Sequence, residues 1–209
     1  MAVTILVTGF GPFPGAPFNP TGPLVERLAR LRQPALVDVQ IFPHIFPTSY
    51  RAVDQDLPKL IAEYKPDALL MFGLAARTKS LRIETRARNA LAFLPDVSGQ
   101  SLGRNSILYG GPAALTLPAP VRPLLTAARK AYVPVVLSRD AGRYLCNYLC
   151  WRAAEAVAND SGPQLAAFVH VPAVAHTVRP KARRRRLTLD DLARAGSRLL
   201  VSVAAAARR

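Results

Sequence analysis

Short, β-branched apolar runs alternate along this chain with longer stretches of helical period, and no other feature constrains its fold as much. The runs fall at residues 3–8 (Val-Thr-Ile-Leu-Val-Thr), 35–42, 67–72, 132–138 and 165–172. Each is too short for a core helix and nearly free of charge, as expected of a strand buried on both faces. Between them, Leu24, Val25, Leu28 and Leu31 form one apolar helical stripe. Thr21 is its expected N-cap, with Pro23 in the first turn. A second helix is expected over 49–64, capped by Thr48, with Val53, Leu57, Leu60 and Ile61 inward and Pro58 inside it. Helices are also expected over 120–131 and from Cys146 to about Asn159. Thr188 with Asp191 resembles a capping box for a last helix over 189–207. Alternation of this kind predicts an α/β fold, a mostly parallel sheet with helices on both faces. At 209 residues the chain fits a single domain, 1–209, with a sizeable core.

Two pieces break the pattern. Ser80 to Asn89 alternates Leu81, Ile83 and Thr85 with Arg82, Glu84 and Arg86. Period two reads as a strand with one charged face, and spacing alone turns Glu84 toward solvent. Gly9 to Thr21 is a Gly/Pro loop holding Phe10, Phe13 and Phe18. Gly and Pro account for its turns but not its aromatic rings. The rings either fold into the core or line an apolar pocket at the carboxyl end of the first strand, where open α/β sheets bind ligands. The loop's glycine spacing is not a phosphate-binding fingerprint.

Composition narrows the function. The formal net charge is +15, and residues 179–209 hold ten Arg/Lys against two Asp. The densest part, Arg183 to Arg186, reads as a solvated linker before the last helix. No aromatic residues interleave it as a nucleic-acid surface would need, so nucleic acid is not the expected partner. No apolar run is long enough to span a bilayer, and no membrane partner is expected. The first residues lack a basic leader, so no signal peptide is read there. The only two cysteines, Cys146 and Cys150, lie four apart. That spacing does not normally form a disulfide, and reduced thiols point to a cytoplasmic setting. The cysteines and three histidines have no zinc-ligand spacing, so neither metal nor cofactor is expected.

Cys146 follows the run at 132–138 and opens a helix. Unpaired N–H groups and the helix dipole there favour a thiolate. The commoner fate of a lone cysteine is burial as a small apolar residue, and this segment alone leaves both open. A parallel sheet changes the balance. His170 ends the run at 165–172, so Cys146 and His170 are both expected on the carboxyl-end rim. A thiol beside an imidazole makes a nucleophile with a general acid. Glu84 can orient that imidazole if its strand reaches the same rim. His44 and His176, among prolines, are weaker candidates.

The chain resembles the pyroglutamyl peptidase I (pyrrolidone-carboxylate peptidase) family of cysteine peptidases over nearly its whole length. The resemblance rests on Val7-Thr8-Gly9-Phe10 with Pro12-Phe13 and Asn19-Pro20, on Gly73 and Ala75, and on Glu84 with Asn89. It continues in Gly110 to Ala114, in Ala141-Gly142 with Cys146-Asn147, and in Phe168 to Pro172. It implies a three-layer α/β/α sandwich around a mostly parallel twisted sheet, with no metal and commonly four copies. It implies an activity that removes N-terminal pyroglutamate from peptides, with Glu84, Cys146 and His170 as the catalytic residues. Phe10, Phe13, Asn19, Tyr144 and Leu145 correspond to its apolar pocket for the lactam ring. The chain departs from the family pattern at Leu74 to Thr78, at Thr85-Arg86-Ala87, and at Leu91 to Leu94, where an arginine is expected. These departures leave the three catalytic positions intact and bear on specificity. The other readings are an amidase or peptidase of altered specificity and a non-catalytic binder of RNA or another anion.

Overall fold

Ile5, Leu6 and Val7 are consecutive and all fully buried, so the first strand is covered on both faces. The computed structural model describes residues 2–175 and 186–209. The first strand, β1 (Val3–Phe10), lies inside a six-stranded sheet. Beside it run β2 (Val39–Phe46) at one edge and β3 (Ala68–Leu74) toward the centre, both parallel to it. Next come β8 (Leu165–Val171), parallel to β3, then β4 (Leu81–Glu84), then β7 (Val135–Ser138) at the other edge. Val3, Ile5 and Val7 pack under α1 (Thr21–Ala29), α3 (Val121–Lys130) and α5 (Leu189–Ala207). Leu6, Leu69, Met71, Ala166 and Phe168 face α2 (Tyr50–Tyr64) and α4 (Leu145–Val157). This is a single-domain α/β fold of three layers, α/β/α, with a mostly parallel sheet.

The sheet is mostly but not wholly parallel, and this corrects the expectation that the strand before Cys146 ends on the same rim as the strand of His170. β4 runs antiparallel to β8, and β7 follows β4. Only the six residues between Leu74 and Leu81 connect β3 to β4. A parallel return needs a crossover of about a dozen residues or more, so the chain comes straight back. β7 therefore ends at Ser138, level with Glu84 and Phe168, and not on the rim where β3 and β8 end. The loop after β7 carries the chain to the start of α4.

Other boundaries differ for local reasons. The second strand, expected at 35–42, is shifted to 39–46, because Pro34 opens a 3-10 turn over Pro34–Leu36. Pro43 fits inside β2 because an edge strand leaves one side unbonded. The run from Ser80 to Asn89 splits at Thr85, whose N–H and hydroxyl both donate to the Ser138 carbonyl. Beyond it, β5 (Arg86–Arg88) pairs antiparallel with β6 (Ala114–Thr116) as a separate ribbon. The capping box of α5 forms as read, with Thr188 and Asp191 bonding reciprocally. Thr48 does not cap α2. Asp96 does so from a distant loop: its carboxylate accepts from the Tyr50 N–H at 3.1 Å, from the Ser98 N–H and hydroxyl, and from the Gln100 N–H. Asp96→Ala orphans the buried Tyr50 N–H and releases the Ser98–Gln100 turn, and is expected to cost about 1–3 kcal/mol, read as a lowered thermal midpoint.

Candidate active site

Glu84 and His170 meet because β4 is antiparallel to β8. Opposed residues of such a pair share a face. Arg82 lies opposite His170 and Glu84 opposite Phe168. All four side chains therefore turn toward the α4 layer, and Glu84 is fully buried there instead of facing solvent. Its Oε1 accepts a 2.8 Å hydrogen bond from His170 Nδ1. Arg82 Nε approaches the same oxygen at 3.4 Å. Nε2 of His170 is left for other work, and the ring is held edge-on by Phe168, with centroids 5.0 Å apart.

Cys146 stands in the first turn of α4, whose N-cap residue, Tyr144, makes no side-chain cap and whose first turn holds no acid. Its sulfur reaches the imidazole past Gly73. Gly73 is inside β3, not at its end, in register with His170. A Cβ on Gly73 would lie 2.8 Å from Cys146 Sγ and 2.6 Å from Phe168 Cζ. A glycine inside an apolar strand signals such a close approach, which the sequence offers without naming the partner.

Electrostatics tie the three residues together. Burial alone would make His170 release its proton. The Cys146 sulfur, by charge and hydrogen bond, and then Glu84 outweigh it and hold His170 up to about 9. Cys150, one turn further along α4, is fully buried, and burial, then Cys146 and Glu84, push its thiol well above the usual range. It is no nucleophile. Among the described residues no group of His, Cys, Asp and Glu is set to hold a metal ion.

The remaining sequence-derived site residues are divided between fold and surface. Phe10 is buried against Phe46, and Leu145 is buried in the α4 core. Asn19 is buried and satisfied: its Nδ2 donates to the Gly11 carbonyl, and its Oδ1 accepts from Thr21 N and Oγ1. It shapes the Phe-bearing loop. Phe13 is half-buried at a tight turn closed on Ala16. Tyr144 is half-buried and donates to the Pro95 carbonyl, so the 92–97 segment borders the approach to Cys146. Phe93 and Leu94 are exposed there. His44 pairs with Asp56 at 3.5 Å on β2, apart from the site. His176 and Arg183 to Arg185 lie outside the described residues. A cavity of about 960 Å³ between α2 and the far end of α4, lined by Leu57, Ile61 and Glu155, contains none of the three candidate catalytic residues.

Three arginines outside the sequence-derived site residues brace the loop before Cys146. Arg82 Nη2 donates to Ser138 Oγ at 2.5 Å and to the Asp140 carbonyl at 2.9 Å. Arg86 Nε donates to the Arg139 carbonyl, and Arg88 pairs with Asp140 at 3.3 Å. Asn147, fully buried beside Cys146, accepts from the Arg88 N–H and donates to the Arg88 and Ala90 carbonyls. The turn that carries Cys146 is thus fixed on both sides.

Comparison with known proteins gives a consistent result. A family model described as pyroglutamyl peptidase matches residues 3–207. The pyrrolidone-carboxylate peptidase of Pyrococcus furiosus is 32% identical over 169 residues, 80% of either chain. That of Deinococcus radiodurans is 33% identical over 172 residues, 81% of this chain and 78% of its own. Among solved structures, Bacillus amyloliquefaciens pyroglutamyl peptidase I superposes with a TM-score of 0.83 at 26% identity, covering 97% of each chain. The pyrrolidone carboxyl peptidase of Thermococcus litoralis gives 0.85 at 26%, covering 96% of this chain and 93% of its own.

Proposed function

The chain belongs to the pyroglutamyl peptidase family, and we propose that it removes N-terminal pyroglutamate from peptides with Cys146, His170 and Glu84, through a thioester. The family and the solved relatives support a cysteine peptidase acting on peptides. The observation that carries the residue assignment is the buried line from Glu84 through His170 to Cys146, with 2.8 Å between Oε1 and Nδ1.

The steps follow from the charges. Cys146 thiolate attacks the carbonyl carbon that joins pyroglutamate to the next residue, and electron density moves onto the carbonyl oxygen. First-turn amides of α4 lack helical acceptors and Tyr144 supplies no cap, so they suit that oxyanion. Collapse breaks the C–N bond, and protonated His170 gives its proton to the leaving amine. Acylation also removes the thiolate charge that held the imidazole protonated. Burial then favours the neutral ring, which can take a proton from the hydrolytic water. One histidine serves as acid and then base because its neighbour changes charge between the two steps. Glu84 keeps Nδ1 protonated and Nε2 directed at the reaction. The apolar loop residues Phe10 and Phe13 border the space for the flat, uncharged lactam. The reading extends to a cytoplasmic enzyme working as an assembly of identical copies.

The direct test is turnover of a pyroglutamyl-fluorophore amide alongside an N-acetyl-amino-acid amide of the same fluorophore. Cleavage of the first alone supports the reading; cleavage of only the second means altered specificity. Activity is expected to hold through neutral pH and fall as the pH rises through about 9, where the imidazolium loses its proton. The sign is the same for stability. The raised value makes the protonated ring's contribution complete below about 6.5 and lost on passing about 9. A pH series of kcat/KM and of thermal midpoints checks both.

A further inference from the structure

We propose that Arg82 is a positioning residue of this site, coupling the orienting carboxylate to the loop that delivers the nucleophile. The assignment rests on the reading of Cys146, His170 and Glu84 as one catalytic unit. Among the described residues, Arg82 is the side chain that touches both halves of it. Its Nε lies 3.4 Å from Glu84 Oε1, the oxygen that binds His170. Its Nη2 holds Ser138 Oγ and the Asp140 carbonyl, at the start of the loop leading to Cys146. The position follows from register: Arg82 faces His170 across the β4–β8 pair, two residues before Glu84 on the same face.

The chemistry explains why a cation belongs there. Glu84 is fully buried, and among the described residues no group donates to its Oε2. Its charge is met at Oε1 alone, by Nδ1 and by the guanidinium. A buried carboxylate with a single cationic partner would bind His170 too strongly and keep the ring protonated after acylation. Arg82, with 30% of its side chain exposed, shares that carboxylate and weakens its hold. The groups facing the ring are Glu84 and Arg82 from β4 and Cys146 from α4, with Cys150 behind it; β3 presents only Gly73. Arg82 is the only cation among them.

The experiment compares wild type, Arg82→Met and Arg82→Lys in two assays: turnover of the pyroglutamyl amide, and alkylation of Cys146 by iodoacetamide, both across pH. Cys150 is buried and silent in the second. Removing the cation stabilises the imidazolium and destabilises the thiolate. Both arms of the turnover profile, and the onset of alkylation, are expected to move up by about one pH unit. Turnover at neutral pH is expected to fall about tenfold, with a burst of released amine as the thioester accumulates. Arg82→Lys is expected to bring the arms back toward wild type. A merely structural role lowers activity without moving either profile, and folded Arg82→Met with unmoved profiles overturns the proposal. If the wild type leaves pyroglutamyl amides uncut but alkylation still shifts with Arg82→Met, the peptidase reading fails and the assignment of Arg82 stands.

Discussion

Cys146→Ser is expected to lower turnover of a pyroglutamyl amide on the order of 10⁴-fold while leaving the fold intact. Serine fits the space, since its oxygen is smaller than the sulfur it replaces and Cys146 is only partly buried in the first turn of α4. What it cannot do is match a thiol's chemistry: a hydroxyl gives up its proton far less readily and is the weaker nucleophile. The substitution also removes the charge that does most to keep the imidazole protonated. The variant's histidine should then titrate well below wild type, visible by NMR of the ring protons. A serine variant as active as wild type would remove Cys146 from the mechanism altogether.

Gly73→Ala is the second large effect, and it tests geometry instead of chemistry. No reacting group is changed. The added methyl would sit 2.8 Å from Sγ and 2.6 Å from the Phe168 ring, inside normal contact distance for both. Both neighbours are held by packing, so the sulfur moves off the imidazole or the strand shifts. A misplacement of about 1 Å costs roughly 100-fold in rate. Overpacking of this kind costs about 1–3 kcal/mol in stability. The expected outcome is a folded, weakened protein with turnover down about 100-fold and Cys146 alkylation at neutral pH slowed in step. Retained activity would show that the sulfur does not use the space above Gly73.

Much of this arrangement is legible in the amino-acid sequence, for identifiable reasons. Ile5, Leu6 and Val7, or Leu69, Leu70 and Met71, are apolar on both faces, and only a strand between helix layers wants that. Thr188 and Asp191 name their own helix start because a capping box is local in sequence. Where the sequence misleads, the deciding partner is remote. Thr48 has the right place and type to cap α2, but the cap comes from Asp96, 46 residues from Tyr50. Glu84 reads as solvent-facing because alternation gives a strand two faces without saying which is covered. Its burial depends on β8 lying beside β4, and on the direction of that pairing. The expectation that Cys146 and His170 meet on one rim of a parallel sheet is right about the meeting and wrong about the route. β7 runs the other way, and the loop after it, gripped by Arg82, Arg86 and Arg88, brings the thiol back. The sequence does not show what those arginines hold, since their acceptors, two backbone carbonyls and two side chains, lie over 50 residues away.

The place of β8 in the sheet also sets a timetable. Among the described residues it is the last strand made, yet it lies between β3 and β4, which are made early and have only six residues between them. Those two strands must wait, unpaired with each other, until β8 enters. Its entry brings His170 up to Glu84 and gives Phe168 its seat beside Gly73 in a single event. A chain synthesised as far as residue 164 already carries Cys146 and Glu84, but it lacks His170 and the strand that pairs with both β3 and β4. Under the proposed mechanism, hydrolysis therefore requires β8 to be seated between β3 and β4.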